Sequence, residues 1–161
     1  MRIAMESDLP AIVAIYNSAV PTRQSTADTV EVSVESRRGW FNEHTPDKRP
    51  LMVHEQDGRI IGWVSFQSFY GRPAYDHTAE ISIYIAPDRQ GKGLGRKLLA
   101  EALDMAPSLN IRTVLGFVFA HNEPSIRLLE YFGFKSWGIL PDVAEMDGKE
   151  YSLCILGLRV G

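Results

Sequence analysis

The chain has 161 residues, 45 % hydrophobic and 23 % charged, a globular balance that argues against disorder, collagen and coiled coil. Its 17 lysines and arginines stand against 20 acidic residues, and a net charge of −3 argues against a general nucleic-acid binder, which needs a basic surface. The length favours one domain over residues 1–161, and the single cysteine, Cys154, permits neither an internal disulfide nor a CxxC motif.

The N-terminal MRIAMESDLP has no apolar leader, and no apolar run approaches the ~20 residues of a membrane helix. A cytoplasmic protein with no membrane partner is expected. Arg2–Met5 is a short strand. Ser7 offers a hydroxyl cap to a helix over 8–19, where Pro10 sits in the first turn and Ile12, Val13, Ile15, Tyr16 and Ala19 recur at helical spacing. Residues 20–32 read as a loop. A second helix is expected over Val34–His44, with Trp40 and Phe41 inward.

A β-rich stretch follows. Leu51–Glu55 and Ile60–Phe69 form a hairpin across Asp57-Gly58, residues that tolerate the positive φ of a type I′ turn. Tyr70–His77 is a loop, and Thr78–Ala86 is a third strand closed by Pro87. A helix over Lys97–Ala106 presents Leu98, Leu99, Ala102 and Leu103, and Pro107 stops it. Thr113–Phe119 is a strand. Asn122 caps a short helix that Gly133 ends, and Phe134–Leu140 and Lys149–Leu158 are the last strands, parted by Asp147-Gly148. The order predicts a mixed α/β (α+β) fold with antiparallel neighbours and at least one β-α-β crossover, not a doubly wound parallel sheet.

The segment Arg89–Gly95, RQGKGLG, lies between a strand and a helix. Gly91, Gly93 and Gly95 let the backbone turn sharply and approach a ligand, and the free N–H groups of a helix start favour an anion. Lys92 and Arg96 add positive charge. The Walker pattern fails because Gly91-Lys92 is followed by Gly93 rather than Ser or Thr. A dinucleotide fingerprint counted from Gly91 fails at Arg96, and the next strand ends apolar where an acidic residue would hold a ribose.

The spacing that fits is Q-x-x-G-x-G, at Gln90, Gly93 and Gly95. With Asn122-x-x-Ser125, Leu128 and Gly133-Phe134 at the right distance, nearly the whole chain resembles the GNAT acyltransferases. AIYNSAV, FYGRPAY, AEISIYI and AEMDGKEYSLCILG make it most similar to their phosphinothricin and methionine sulfoximine N-acetyltransferase branch. The resemblance implies a twisted, largely antiparallel sheet flanked by helices, and acetyl-CoA as cosubstrate. It puts the cofactor pyrophosphate on Gln90, Gly91, Lys92, Gly93, Leu94, Gly95 and Arg96. A strand and helix splay apart around the pantetheine, with Asn122 and Ser125 in the second signature. It also implies that Ile83, Tyr84 and Ile85 hold the acetyl carbonyl and pantetheine amides, with an oxyanion-binding N–H near Ile83 or Tyr84. A homodimer through Trp137 and the last strand is implied too.

Acetyl transfer to an amine needs a group to take the amine proton. In Thr78–Ile85, alternation puts Glu80, Ser82 and Tyr84 on one face and Ala79, Ile81, Ile83 and Ile85 on the other. Glu80 is the candidate by position, and the resemblance makes it the general base. Arg72, before that strand, offers a planar fork for a substrate carboxylate; Tyr75 and His77 join it as candidate substrate contacts, as do Arg23 and Thr26 in the first loop. Many GNATs carry a thiolate-protonating tyrosine where this chain has Leu129, and Tyr131 lies on a different helical face. The four histidines show no metal-ligand spacing, so no metal is expected. The expected activity is acetylation of a small amino acid or analogue, with other amines or a non-catalytic acyl-CoA sensor as alternatives.

Overall fold

A computed structural model describes residues 1–161. The elements run β1 (Arg2–Ile3), α1 (Leu9–Ala19), α2 (Arg38–Asn42), β2 (Leu51–Gln56), β3 (Arg59–Ser68), β4 (Thr78–Ile85), α3 (Leu94–Met105), β5 (Thr113–Phe119), α4 (Glu123–Tyr131), β6 (Lys135–Met146) and β7 (Lys149–Arg159). The seven strands form one sheet in the order β1-β2-β3-β4-β5-β7-β6. Every pairing is antiparallel except β4 with β5. No helix is long and apolar enough to cross a membrane.

Alternation along the strands builds two cores. Ala79 and Ile81 of β4 join Leu98, Leu99 and Ala102 of α3 and Leu129 of α4 on one face. On the other face, Ile61 and Trp63 of β3 and Val53 of β2 pack against Ile12 and Ile15 of α1. The Asp57-Gly58 turn has positive φ at both residues, as a type I′ hairpin requires.

The expected elements stand, with several revised ends. Ser7 does not cap α1. The Asp8 carboxylate accepts the Met5 N–H at 2.7 Å and pairs with both ends of the Arg2 guanidinium, so an ion pair organises this entry. The second helix shrinks to Arg38–Asn42 behind a 3-10 turn at Glu35–Arg37. Trp40 and Phe41 do pack against the second core. α3 starts three residues earlier than expected, at Leu94, because Gly93 supplies its left-handed start. Pro107 does not end the helical path. It sits in the first turn of a 3-10 segment, Ala106–Leu109, which exits through Asn110 at φ 60°. The sixth strand continues past Pro141 to Met146 because irregular register between Leu140 and Ala144 absorbs the proline.

β6 leaves Trp137, Ile139, Leu140 and Val143 exposed. Trp137 lies in the irregularity between Ser136 and Gly138, with its indole over Gly157 of β7. A Cβ built on Gly157 overlaps the indole ring, which cannot swing aside as a flexible chain end would. Gly157→Ala is therefore expected to lower stability by about 1–3 kcal/mol in chemical denaturation. In a Trp137→Ala background most of that loss should disappear.

Candidate active site

The parallel pairing of β4 and β5 covers only Thr78↔Thr113, Ala79↔Val114 and Glu80↔Leu115. Beyond Glu80 the strands part. The expected splay is therefore between two strands rather than a strand and a helix. The antiparallel register fixes what faces the gap. The Ala86 N–H bonds the Ile61 carbonyl and the Phe69 N–H bonds the Thr78 carbonyl, so even-numbered residues of β4 direct their backbone groups to β3. Odd-numbered residues direct theirs to β5. Ile83 and Ile85 consequently face the gap beyond the last β5 pair, while Tyr84 is bonded to β3. Of the two positions expected to hold the oxyanion donor, the register favours Ile83.

Tyr84 serves another purpose. Its ring stacks on Trp63 at 4.7 Å, and its hydroxyl donates to the Ser25 carbonyl at 2.7 Å. Burial raises the phenol pKa far above its usual value. A permanently protonated hydroxyl thus ties the α1–α2 loop to β4.

The glycine loop begins at the open end of β4. Gln90 Nε2 donates to the Ile85 carbonyl at 3.1 Å. Gly91 and Gly93 sit at φ 71° and 83°. Nothing lies within 4 Å of where their Cβ atoms would be, leaving the approach to the loop open. The first N–H groups of α3, from Leu94 through Arg96, have no helical partners and are free to donate to an anion. Gly95 faces α4: a Cβ there would stand 3.4 Å from Leu128, an ordinary contact. Lys92 Nζ lies 3.1 Å from the Asp88 carbonyl, and the Arg96 guanidinium stacks 4.1 Å over the Tyr131 ring. Asp88 would repel an anion, but Arg59 binds both its oxygens at 2.7 and 2.8 Å and pulls its pKa to about 2. The loop, its free N–H groups and its two cations fit a pyrophosphate.

Across the gap, buried Asn122 caps α4 by accepting the Ser125 N–H at 3.3 Å. Its Nδ2 donates to the Gln24 carbonyl at 3.2 Å. Leu129 is buried against Gly116 of β5, where a Cβ would come within 2.7 Å of it. It is a packing residue. Tyr131 is exposed beneath Arg96, in keeping with its different helical face.

Glu80 stands at the last paired position before the strands part. It is half-buried, forms no hydrogen bond or ion pair with the protein, and burial raises its pKa above the usual carboxylate value. Gln67 faces it across β3, and Ser82 follows on the same face. These two line a cavity of about 200 Å³ with Ser65, Arg37, Tyr16 and Trp63. Ser65 is 1 % exposed, and its hydroxyl has no partner. Such an orphan ordinarily costs about 1–3 kcal/mol. Unpartnered polar groups around one apolar-walled cavity mark a ligand site.

The expected substrate contacts divide. Arg72 is exposed with an unpaired guanidinium, on a loop held by Arg49 through the Asp76 carbonyl at 2.6 Å. Tyr75 packs edge-on against Phe69 at 5.2 Å, and Phe69 lies beside Phe117 of β5. His77 is brought elsewhere: its ring meets the Asn110 carbonyl at 2.9 Å, and its own carbonyl accepts the N–H groups of Arg112 and Thr113. It does not line the cavity. Arg23 is occupied by Asp147 and two backbone carbonyls, and Thr26 is buried against the Tyr16 hydroxyl. No group of three or more His, Cys, Asp or Glu is arranged to hold a metal ion.

The sequence reading did not find Arg37, Ser65, Gln67 or Ser82. The polar residues spaced by two inside the otherwise apolar Trp63-Val64-Ser65-Phe66-Gln67 were a usable signal. Arg37 carried none, because only folding of the long loop brings it to the cavity.

The model of the acetyltransferase (GNAT) family matches residues 11–134. The chain belongs to that family. It is 53 % identical to the "Putative phosphinothricin acetyltransferase YwnH" of Bacillus subtilis, over 98 % of this chain and 96 % of the relative. It is 31 % identical to the L-methionine sulfoximine/L-methionine sulfone acetyltransferase of Salmonella typhimurium, over 99 % and 94 %. The crystal structure of the Sinorhizobium meliloti phosphinothricin acetyltransferase in complex with acetyl-CoA superposes with a TM-score of 0.92 at 27 % identity, covering 99 % of this chain and 87 % of that one. The protein is an acetyl-CoA-dependent N-acetyltransferase, and the gap and glycine loop are the features suited to its cosubstrate.

Gly93 makes the loop testable. A side chain at φ 83° is strained by about 1–3 kcal/mol. Gly93→Ala is expected to weaken acetyl-CoA binding by about tenfold in calorimetry, with little change in the acceptor KM.

Proposed function

We propose that residues 1–161 act as a single N-acetyltransferase domain that acetylates the α-amine of a small amino acid or analogue of the phosphinothricin or methionine sulfoximine type. Transfer is direct, with Glu80 as general base. The observation that carries this reading is Glu80 itself: half-buried, unpartnered, at the last pair before the β4–β5 gap, and beside the cavity-lining Gln67 across β3 and Ser82 on its own face.

Each residue has a chemical task. A free α-amine has a pKa of about 8 and is largely protonated at neutral pH. Glu80, made more basic by burial, takes a proton from it directly or through one water. The neutral nitrogen then attacks the thioester carbonyl, forming the amide C–N bond as the C–S bond breaks, and its second proton passes to water. The Ile83 N–H donates to the acetyl oxygen as negative charge grows there. The departing thiolate, from a thiol of pKa about 8.5, takes its proton from water. Leu129, packed in the core, supplies none. Arg72 receives the acceptor carboxylate, and Tyr75 forms part of the same rim.

Cys154 is half-buried on β7 with no basic partner, so no acetyl-enzyme is assigned to it. A cytoplasmic setting suits this free thiol. The exposed apolar residues of β6 support a homodimer through that strand.

The test is thiol release from acetyl-CoA with methionine sulfoximine and phosphinothricin, with spermidine and a peptide as controls. Glu80→Gln should lower kcat by about 10²–10⁴-fold and leave acetyl-CoA affinity unchanged. Release with the controls but not with the amino acids would contradict the reading. The pH profile gives a second check. Activity needs the Glu80 carboxylate, and burial raises its pKa, so kcat/KM should climb with pH through a limb above the usual glutamate value of about 4.3. Glu80→Gln should remove that limb, while the limb from the acceptor amine near pH ~8 persists.

A further inference from the structure

Arg37 lines the cavity but lies far from Glu80 in sequence and outside the glycine loop. Its guanidinium sits 4.6 Å over the Tyr16 ring and 5.8 Å over the Trp40 ring. One edge is fixed: Nη2 donates to Asp28 Oδ2 at 2.9 Å, and Asp28 also accepts the Tyr16 hydroxyl. Nε and Nη1 have no partner in the protein. On the cavity's β3 wall, the Ser65 hydroxyl is buried and equally unpartnered. The cavity therefore offers aromatic walls, part of an oriented guanidinium and an isolated hydroxyl.

Asp28 already balances the Arg37 charge, so the free N–H groups suit an oxygen acceptor whether neutral or anionic. The cavity, about 200 Å³ and open to solvent on one side, admits a short side chain. We propose that Arg37 and Ser65 bind the oxygen-bearing end of the acceptor's side chain, and so select amino acids whose short side chains terminate in a hydrogen-bond acceptor. This rests on the reading that the acceptor's amine lies at Glu80, with its α-carboxylate toward Arg72. An apolar side chain of equal length fills the same space but leaves both groups desolvated and unpaired.

The experiment compares methionine sulfone with norleucine, which lacks the oxygens, as acceptors in full steady-state kinetics. Wild type should favour the sulfone in kcat/KM by about 10–100-fold. Arg37→Gln should lose most of that preference by raising KM for the sulfone, with norleucine little changed. Arg37→Lys should restore only part of it, because a single ammonium lacks the planar fork. Arg37 also holds Asp28, so Ser65→Ala provides an independent variant that leaves this ion pair intact. It should cost about 5–10-fold with the sulfone alone. Equal losses for both acceptors would assign Arg37 a structural role and overturn the proposal. So would a preference that depends on the α-carboxylate, seen if the acceptor's carboxamide rescues Arg37→Gln. No turnover of any α-amino acid by wild type would overturn the proposed function and this inference together. Turnover without discrimination would overturn this inference alone.

Discussion

The parting of β4 and β5 after Glu80↔Leu115 is the constraint on which the rest of the site depends. A parallel pair that continued would bond the backbone of Ile83 and Ile85 to β5 and leave no room for a ligand. Because it stops, the centre of a seven-stranded sheet keeps backbone groups of β4 free of a strand partner, open to the amides and carbonyl of a ligand. Parity then divides the labour within one strand. Odd-numbered backbone groups face the gap, while the side chains of Glu80 and Ser82 face the acceptor side. On the proposed mechanism one rigid element holds both reactants, which converts their encounter into an oriented reaction.

The roof of the acceptor side is tied to the same framework. The α1–α2 loop is held at three consecutive residues, two from the β5–α4 connection and one from β4. His121 donates to the Arg23 carbonyl, Asn122 to that of Gln24, and Tyr84 to that of Ser25. Arg23 itself reaches Asp147 in the β6–β7 turn. Asn122 therefore performs two tasks, capping α4 beside the gap and anchoring the loop that carries Asp28 and positions Arg37. Such bonds from separate elements fix the long loop, whose own sequence has little regular structure.

Much of the fold was legible because its signals are local. The type I′ turn at Asp57-Gly58, the Asn122 cap and the Gly133 exit depend on neighbouring residues alone, and each is where the sequence placed it. The alternation around Glu80 gave both faces of β4 correctly. Element ends were less legible where one residue's preference competed with tertiary context. Pro141 sits inside a strand because the register shift accommodates it, and Ser7 yields to an Asp8–Arg2 ion pair invisible without the fold. The site divided the same way. The glycine loop is contiguous and could be read directly. The cavity is assembled from α1, the long loop, α2, β3 and β4, so Arg37 and Ser65 come to line one cavity only in three dimensions. His77 is the opposite case: near Glu80 in sequence, its ring turns to Asn110.

The central claim is that acceptor and acetyl-CoA bind at β4 together and react directly. Initial velocities measured over a grid of acetyl-CoA and methionine sulfoximine concentrations test it most simply. The account predicts double-reciprocal lines that intersect, and no acetylated protein by intact mass when acetyl-CoA is supplied alone. Parallel lines, with an acetyl group found on the enzyme, would contradict direct transfer and require a nucleophile that the geometry does not assign.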